Sequence, residues 1–255
     1  YTAIDPVRPD DGVEMKMVTP LLTSLLAVGA WASTCLCANA ATPARTFNTS
    51  FDCASAREPI EKLICRDSQL AQMDRELQRL YLLALTDAHS VPPPDKVELD
   101  QQFWVHARNQ CAGAQAKACV VRSYAERAHQ LRQGSAIART KDPSRLTEGP
   151  VAYRCTGFNG VLTATFFNAG PGVVYLKWAN ASVILDQVSN YSGNQYKGKD
   201  FRGDYSFWQN GSETLLQMPG AGAMTCTVDP AACSASRLNK RQPGRPVPMA
   251  RVSFQ

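Results

Sequence analysis

The positions of nine cysteines are the strongest constraint on what this chain can fold into. They are residues 35, 37, 53, 65, 111, 119, 155, 226 and 233. Outside the N-terminal apolar segment, no two of them have the close spacing of a metal-binding knuckle, and widely spaced pairs are typical of disulfide bonds. Because disulfides persist in oxidising compartments, the pattern predicts a protein that is exported.

Four of the cysteines lie close together in pairs within a region of helical periodicity. Cys53 and Cys65 flank a short turn before the first long helix, and Cys111 and Cys119 flank the turn between the next two helices. A bond within each pair would staple a helical module that is too small to bury much core alone.

The cysteines of the C-terminal half predict a bond across a sheet. Cys155 lies in the first predicted strand and Cys226 in the last, so a bond between them would close a loop of about 70 residues. A bond between Cys226 and Cys233 is the alternative. Otherwise Cys233 is left to pair with another chain or to stay free.

The N-terminal segment has the features of a secretory signal. Residues 1–14 lack a methionine, and from Met15 the chain has one lysine, an apolar stretch over Leu21–Trp31 and a small-residue cleavage site at 38–40. We therefore expect removal of residues 1–40 and a periplasmic or secreted protein.

Two other roles for this segment are weaker. A membrane anchor would need a longer apolar stretch than this one. Lipid attachment at Cys35 or Cys37 is disfavoured because Thr34 and Leu36, which precede them, suit that processing poorly.

Residues 50–135 show helical periodicity. The first long helix carries apolar residues at three- and four-residue spacing, with Asp67 or Ser68 as its cap. Two further helices follow the break at "SVPPPD". The expected core positions are Leu70, Met73, Leu77, Leu80, Tyr81, Ala84, Val97, Phe103, Trp104, Val120, Val121, Tyr124, Ala128 and Leu131.

The pattern changes after a polar stretch at 136–150, which we interpret as a linker. Short runs rich in Val, Thr, Phe, Tyr and Trp then alternate with Gly, Asn and Pro up to residue 230. Seven or eight such strands without intervening helices predict a small antiparallel barrel or sandwich. The Asn-Gly pair in "QNGS" (209–212) predicts a type I′ hairpin. The expected fold class is α+β with two domains.

The charge of the chain is concentrated in its tail. Residues 151–230 carry five basic and five acidic side chains, whereas residues 231–255 carry five basic side chains and no acid. A solvated, disordered tail is the simpler interpretation. The alternative is electrostatic attachment to an anionic envelope component such as lipid or glycan, without specific recognition of nucleic acid.

No catalytic or metal-binding constellation stands out. The chain lacks the nucleophile, zinc-protease, phosphate-loop and dinucleotide motifs. His106 and His129 are most simply surface residues of helices. A carboxylate pair formed by Asp204 and Glu213 is the remaining glycosidase-like candidate. We therefore expect a binding protein that is not an enzyme and needs no cofactor.

Residues 150–230 resemble the MliC/PliC family of inhibitors of C-type lysozyme. The resemblance rests on "YRC" (153–155), "SGNQY" (192–196), "YSFWQNGSE" (205–213) and "AMTC" (223–226). It implies an eight-stranded antiparallel barrel that places loop residues in the substrate cleft of lysozyme. Residues 50–132 resemble the lysozyme-inhibitor module of the LprI type, through "SFDCASAREPIEKLIC" (50–65), "ARNQC" (107–111) and "CVVRSYAERAHQL" (119–131).

The resemblance assigns lysozyme-binding roles to individual residues. Ser192 matches the serine that reaches the catalytic carboxylates of lysozyme, Gly193 matches the glycine that permits close approach, and Tyr196 matches a contact tyrosine. The second motif supplies Tyr205 and Gly211. It also contains Phe207 and Trp208, of which one should face the core and the other the surface.

One position departs from the family pattern. Asn210 stands where the family usually has lysine, so a charge-assisted contact of roughly 1.5–3 kcal/mol would become a neutral hydrogen bond of about half that. Lys197 and Lys199, in a stretch that looks inserted (197–204), are candidates to supply the missing charge. Alternatively, Asn210 only forms the hairpin turn. The expected function is inhibition of C-type lysozyme that protects bacterial peptidoglycan; the alternative is a non-inhibitory module that binds an envelope component or host protein.

Overall fold

A helical region is followed by a closed antiparallel barrel, as the sequence predicts. The computed structural model describes residues 45–140, 144–189 and 193–229. The predicted signal segment, Ser192, Cys233 and the basic tail lie outside these ranges. The helices are α1 (Pro59–Arg66), α2 (Ser68–Leu85), α3 (Pro94–Asn109), α4 (Ala116–Gly134) and α5 (Ala136–Thr140). The strands are β1 (Thr147–Cys155), β2 (Leu162–Phe167), β3 (Val173–Trp178), β4 (Ala181–Val188), β5 (Asn194–Asp200), β6 (Gly203–Asn210), β7 (Glu213–Gln217) and β8 (Met224–Val228).

The three predicted disulfide bonds are present. The pairs are Cys53–Cys65, Cys111–Cys119 and Cys155–Cys226. The first joins a short 3-10 turn to α1, and the second joins the end of α3 to the start of α4. In the barrel, consecutive strands pair in chain order and β8 returns to pair with β1. Cys155 lies directly opposite Cys226 across this closing seam, so the third bond fixes the two ends of the sheet to each other.

The predicted apolar stripe of α2 forms the centre of the helical core. Leu70, Met73 and Leu80 are fully buried, and α4 packs Val120, Tyr124 and Ala128 into the same cluster. The side chain of Asp67 begins α2 by accepting hydrogen bonds from the backbone amides of residues 69 and 70, both at 3.0 Å. None of the helices in the described ranges is both long enough and apolar enough to cross a bilayer.

A buried polar group ties three helices together. The Tyr124 hydroxyl of α4 donates to Asp74 of α2 at 2.8 Å and accepts from Arg108 of α3 at 3.0 Å. Arg108 also lies 3.7 Å from Asp74, so the carboxylate and the guanidinium neutralise each other inside the core. Because Tyr124, Asp74 and Arg108 are all partners of one another, this buried group fixes the relative positions of α2, α3 and α4.

The helical region packs against one wall of the barrel. Phe167, Val173 and Tyr175 point out of the barrel and belong to the same apolar cluster as α2 and α4. Their neighbours Phe166 and Val174 point inward and fill the barrel. Strands β2 and β3 are therefore buried on both faces, which explains why "TATFF" and "VVYL" are nearly continuous apolar runs rather than alternating ones.

Polar contacts complete this interface at the start of β1. The Thr147 hydroxyl donates to the carboxylate of Glu76 on α2 and accepts from Arg132 on α4 at 2.9 Å. Arg132 also donates to the backbone oxygen of Gly149 at 2.7 Å. Glu76 is ion-paired with Arg79 at 2.6 Å, so its buried charge is compensated. Strand β1 is thus hydrogen-bonded to two helices where it enters the barrel.

Three sequence expectations are wrong, and the packing of α4 against β2 explains one of them, the burial of His129. The stretch 136–150 is not a linker, because it contains α5 and the first residues of β1. His129 is not a surface residue: it is 1% exposed, and its Nδ1 lies 2.8 Å from the Thr165 hydroxyl of β2. Burial lowers the pKa of His129 to about 4, with the positive charge of Lys177 adding to the effect. Phe103, expected in the core, is 66% exposed on α3.

Removal of the Tyr175 ring from this interface should destabilise the helical region and the barrel together. Tyr175→Ala should lower the free energy of unfolding by roughly 3–5 kcal/mol, because the ring is 1% exposed and packs against His129. The measurement is urea denaturation, followed by far-UV circular dichroism for the helices and by hydrogen exchange of the strand amides for the barrel. Val228→Ala, at a position 56% exposed, is the control and should change stability by less than about 0.5 kcal/mol. A lower urea midpoint for unfolding of the barrel, with an unchanged midpoint for the helices, would contradict a shared core.

Candidate functional site at one end of the barrel

The two motifs of the predicted binding site meet at one end of the barrel. Because neighbouring strands run antiparallel, every second connection emerges at the same end. We call the loop end the one formed by connections 168–172, 189–193 and 211–212 together with the start of β1. The opposite end is formed by connections 156–161, 179–180, 201–202 and 218–223.

Gly193 holds the two motif connections against each other. Its φ of +71° lies in the left-handed region, and a Cβ at this position would overlap the carbonyl oxygen of Gln209 and approach the Cα of Asn210 to 3.0 Å. The next residue, Asn194, pairs with Gln209 in the β5–β6 ladder. The close approach that the glycine permits is therefore to the chain's own second motif, at the end of β6 beside the β6–β7 turn.

The β6–β7 turn differs by one residue from the sequence prediction. Asn210 pairs with Glu213, so the two central residues are Gly211 and Ser212 rather than Asn210 and Gly211. Gly211 has a φ of +60°, while Ser212 is not among the residues with positive φ, a combination that fits a type II′ turn instead of type I′. Asn210 thus ends β6 with an exposed side chain at the loop end, and Gly211 supplies the turn conformation.

Tyr196 is a core residue, not a surface contact. It is 2% exposed and packs against Phe166 inside the barrel, with the ring centroids 5.7 Å apart. Burial raises the pKa of its hydroxyl to about 12, and the negative charge of Glu148 adds to the effect. The expectation that its ring faces a partner is wrong in this structure, because the pleat of β5 turns residue 196 inward. Tyr196 instead anchors the strand that follows the Ser192 connection.

Tyr205 lies too far from the first motif to act with it. It is 3% exposed and sits five residues before Asn210 on β6, about 17 Å along the strand. Its ring neighbours are Trp178, at 6.1 Å, and the guanidinium of Arg202, at 5.8 Å. Tyr205 therefore belongs to the opposite end. Phe207 is fully buried and Trp208 is half-buried on the outer face, which confirms that one faces the core and the other the surface.

The two candidate lysines lie on a strand rather than in an inserted loop. Lys197 and Lys199 are both exposed on β5, and the stretch 197–204 forms the β5–β6 hairpin with only Phe201 and Arg202 at its tip. Lys197 lies three residues from Asn194, about 10 Å along the strand, and Lys199 about 17 Å. Of the two, Lys197 is the closer to the loop end.

The structure separates the carboxylates that the sequence allowed as a catalytic pair. Asp204 begins β6 at the opposite end, whereas Glu213 follows the turn at the loop end, so the length of β6 lies between them. Within the described ranges, no group of three His, Cys, Asp or Glu side chains is placed to hold a metal ion.

Sequence patterns did not reveal the contacts that support the loop end. Gln69, at the start of α2, donates through its side chain to the backbone oxygen of Pro171 in the β2–β3 connection. The backbone oxygen of Gly172 then accepts from the amide of Gln187, whose side chain donates to Asn194 Oδ1 at 3.3 Å. This chain of contacts runs from the helical region to the first residue of β5. It links residues more than 100 positions apart, so no local signal could have predicted it.

Acidic side chains surround the loop end. Glu148 at the start of β1, Asp186 near the end of β4 and Glu213 after the β6–β7 turn are all exposed. Asp186 lies opposite the exposed Lys197 in the β4–β5 pair, so Glu148 and Glu213 are the two of these three that have no basic residue directly opposite them in the sheet.

Comparison with known proteins finds relatives for the barrel and for most of the chain. A family model described as membrane-bound lysozyme-inhibitor of c-type lysozyme matches residues 153–225. Lipoprotein LprI of Mycobacterium bovis is 32% identical over 186 residues, which span 72% of this chain and 86% of that protein. Lipoprotein LprI of Mycobacterium tuberculosis strain H37Rv gives the same values. No solved structure matches significantly.

The packing at Gly193 predicts a difference between two glycines of the same end. Gly211→Ala should cost about 1–2 kcal/mol for its positive φ alone, because open space surrounds its Cβ position. Gly193→Ala should cost about 1–3 kcal/mol more, since the new methyl group must also displace Gln209. Denaturant unfolding of both variants measures the difference. Equal costs would show that Gly193 does not pack against β6.

Proposed function

Because the chain belongs to the family of the lipoprotein LprI, we propose that it is an exported inhibitor of C-type lysozyme that acts through the loop end of its barrel. The single observation that carries this proposal is the contact of Gly193 with Gln209 and Asn210. This contact joins the first residues of β5 to the end of β6, at one end of a barrel whose closing seam carries a disulfide bond. Binding residues that are carried on a closed barrel lose less conformational entropy on entering a cleft than residues of an unsupported chain.

Ser192 is the residue that we propose to enter the active site of lysozyme. That site holds one ionised carboxylate and one protonated acid. A serine hydroxyl donates one hydrogen bond and accepts others, so it matches both groups at once. Tyr196 and Gly193 act indirectly in this proposal: the buried ring fixes the start of β5, and the glycine holds the connection against β6.

The acidic residues of the loop end favour approach to this partner. C-type lysozymes are usually basic, and complementary charge speeds association more than it tightens the final complex. Glu148 and Glu213 supply that charge at the loop end, whereas Asp186 is opposed by Lys197. The steering weakens as salt rises, so the association rate should fall with ionic strength.

Three disulfide bonds and the signal-like N-terminal segment support export into an oxidising compartment. In a bacterial periplasm or outside the cell, the protein would protect peptidoglycan from lysozyme. The basic tail would then hold it near an anionic envelope component.

Ser192→Ala tests the role of the first motif. We expect it to weaken inhibition of a C-type lysozyme at least tenfold, because both catalytic carboxyl groups lose a hydrogen-bonding partner. The measurement is the rate of cell-wall clearance by lysozyme against inhibitor concentration. Ser189→Ala, in the same connection but outside the motif, is the matched control and should inhibit within threefold of the unchanged protein. Equal inhibition by both variants would remove Ser192 from the site.

A non-inhibitory binding module is the alternative, and Asn210 is the observation that favours it. The family usually has lysine here, and Asn210 is exposed at the loop end, where that charge would face lysozyme. If the unchanged protein does not slow lysozyme at all, that result favours this alternative, in which the barrel binds an envelope component or a host protein.

Asn210→Lys tests how much the missing charge matters. The substitution should tighten inhibition about fivefold, since a charge-assisted hydrogen bond gains roughly 1 kcal/mol over a neutral one. Asn180→Lys adds the same charge in the exposed β3–β4 turn at the opposite end and should leave inhibition nearly unchanged. A similar gain from both variants would mean that general charge, and not a contact at residue 210, controls affinity.

A further inference from the structure

The helical region contains a cleft that the proposed inhibition does not use. Its volume is about 780 Å³, within the usual range of small-molecule sites, and none of its lining residues belongs to the barrel. It lies between the α2–α3 connection and the C-terminal half of α4. Ala84, Val97 and Leu131 form an apolar wall, and Val91, which is 74% exposed, stands at the rim.

Arg127 of α4 lines this cleft as a buried cation with neutral partners. It is 6% exposed, and its guanidinium donates to Gln101 Oε1 at 3.0 Å, Gln130 Oε1 at 3.2 Å and the backbone oxygen of Val97 at 3.3 Å. In the part of the chain that the structure describes, no carboxylate is ion-paired with it. Asp100 lines the same cleft and its negative charge acts on Arg127 through space, but its carboxylate is not among the hydrogen-bond partners of the guanidinium. Buried charges are normally paired, so this arrangement needs an explanation.

The other charged groups of the cleft do not neutralise Arg127. Arg139, at the edge, donates to the backbone oxygens of Arg132 and Gln133. The carboxylate of Asp87 accepts hydrogen bonds from the Ser135 hydroxyl at 2.8 Å and from two backbone amides. These neighbouring donors stabilise its negative charge. Two guanidinium groups therefore line the cleft with neutral hydrogen-bond partners.

Arg127 keeps the capacity to bind an anion. A guanidinium has five N–H donors, and three of them are used in the hydrogen bonds described. One donor remains on each terminal nitrogen. Two such donors form the planar fork that binds both oxygens of a carboxylate. Burial lowers the pKa of Arg127, with the negative charge of Asp100 only opposing the effect, and an anionic ligand would relieve this cost.

We propose that this cleft binds a small organic carboxylate with a short aliphatic chain. The carboxylate group pairs with the free donors of Arg127, and the chain lies on Ala84, Val97 and Leu131. This site is independent of the loop end, so the chain has a ligand-binding function in its helical region in addition to the proposed inhibition by its barrel.

The test uses the full chain with hexanoate as the probe and 1-hexanol as its uncharged counterpart, both measured by calorimetric titration. Hexanoate should bind saturably and at least tenfold more tightly than 1-hexanol, because only hexanoate provides a counter-ion. Gln130→Glu places a carboxylate where an amide oxygen already contacts Arg127, with almost no change in shape. We expect it to weaken hexanoate binding at least tenfold while the protein stays folded.

Gln102→Glu is the charge-matched control. It adds the same negative charge at an exposed position of α3 that does not line the cleft, and it should bind hexanoate as the unchanged protein does. Absence of saturable hexanoate binding to the unchanged protein would overturn the proposal. Equal binding of hexanoate and 1-hexanol, or equal loss of binding in the two glutamate variants, would overturn it as well. None of these readouts depends on whether the barrel inhibits lysozyme.

Discussion

The burial of the outer face of β2 and β3 against α4 is the contact on which the rest of the structure depends. A barrel of this size fills its interior with side chains, and Phe166, Val174 and Phe207 do so here. Phe167, Val173 and Tyr175 would leave an apolar patch on its outside if no helix covered them. The helices in turn would leave the apolar side chains of α4 that face β2 and β3 exposed if the barrel did not cover them. Each part therefore supplies the surface that the other lacks.

The same contact determines how the loop end is held. Thr147 joins β1 to α2 and α4, and Gln69 of α2 holds the β2–β3 connection through Pro171. That connection supports Gln187 and, through it, Asn194 at the start of β5. At the far end of β1 from Thr147, the bond between Cys155 and Cys226 closes the seam. The motif connections thus emerge from a frame that is fixed at several points, which suits insertion into a preformed cleft.

Much of this architecture could be predicted from the sequence because its signals are local. Cysteine positions predicted three bonds, helical spacing predicted the core of α2, and runs of Val, Thr, Phe, Tyr and Trp between turn residues predicted seven or eight strands, of which the structure has eight. The errors arose where a distant element decides the outcome. His129 looks like a surface residue on its own helix, and only the presence of β2 makes it buried. Residues 136–150 have the composition of a linker, yet α5 packs against α2 and α4, and residues 147–150 pair as the start of β1.

Errors in the candidate site have a related cause. A motif match identifies residues but not the direction in which their side chains point. Tyr196 and Tyr205 were therefore assigned to a contact surface, although the pleat of the strands turns both inward. Lys197 and Lys199 were assigned to a loop because their hairpin partner was not known. Gly193 was correctly singled out, but its closest neighbour is the chain's own Gln209. The buried Arg127 gave no sequence signal, because an arginine on a helix is ordinarily a surface residue.

The central claim is that the loop end of the barrel, and no other surface, meets lysozyme. Hydrogen–deuterium exchange of the full chain with and without a C-type lysozyme tests it most directly. We predict that protection on binding is confined to residues 189–194 and 209–213, with no change at the opposite end around Phe201 and Arg202 or on the helices. Protection at the opposite end or on the helices, with the exchange of residues 189–194 unchanged, would contradict the account.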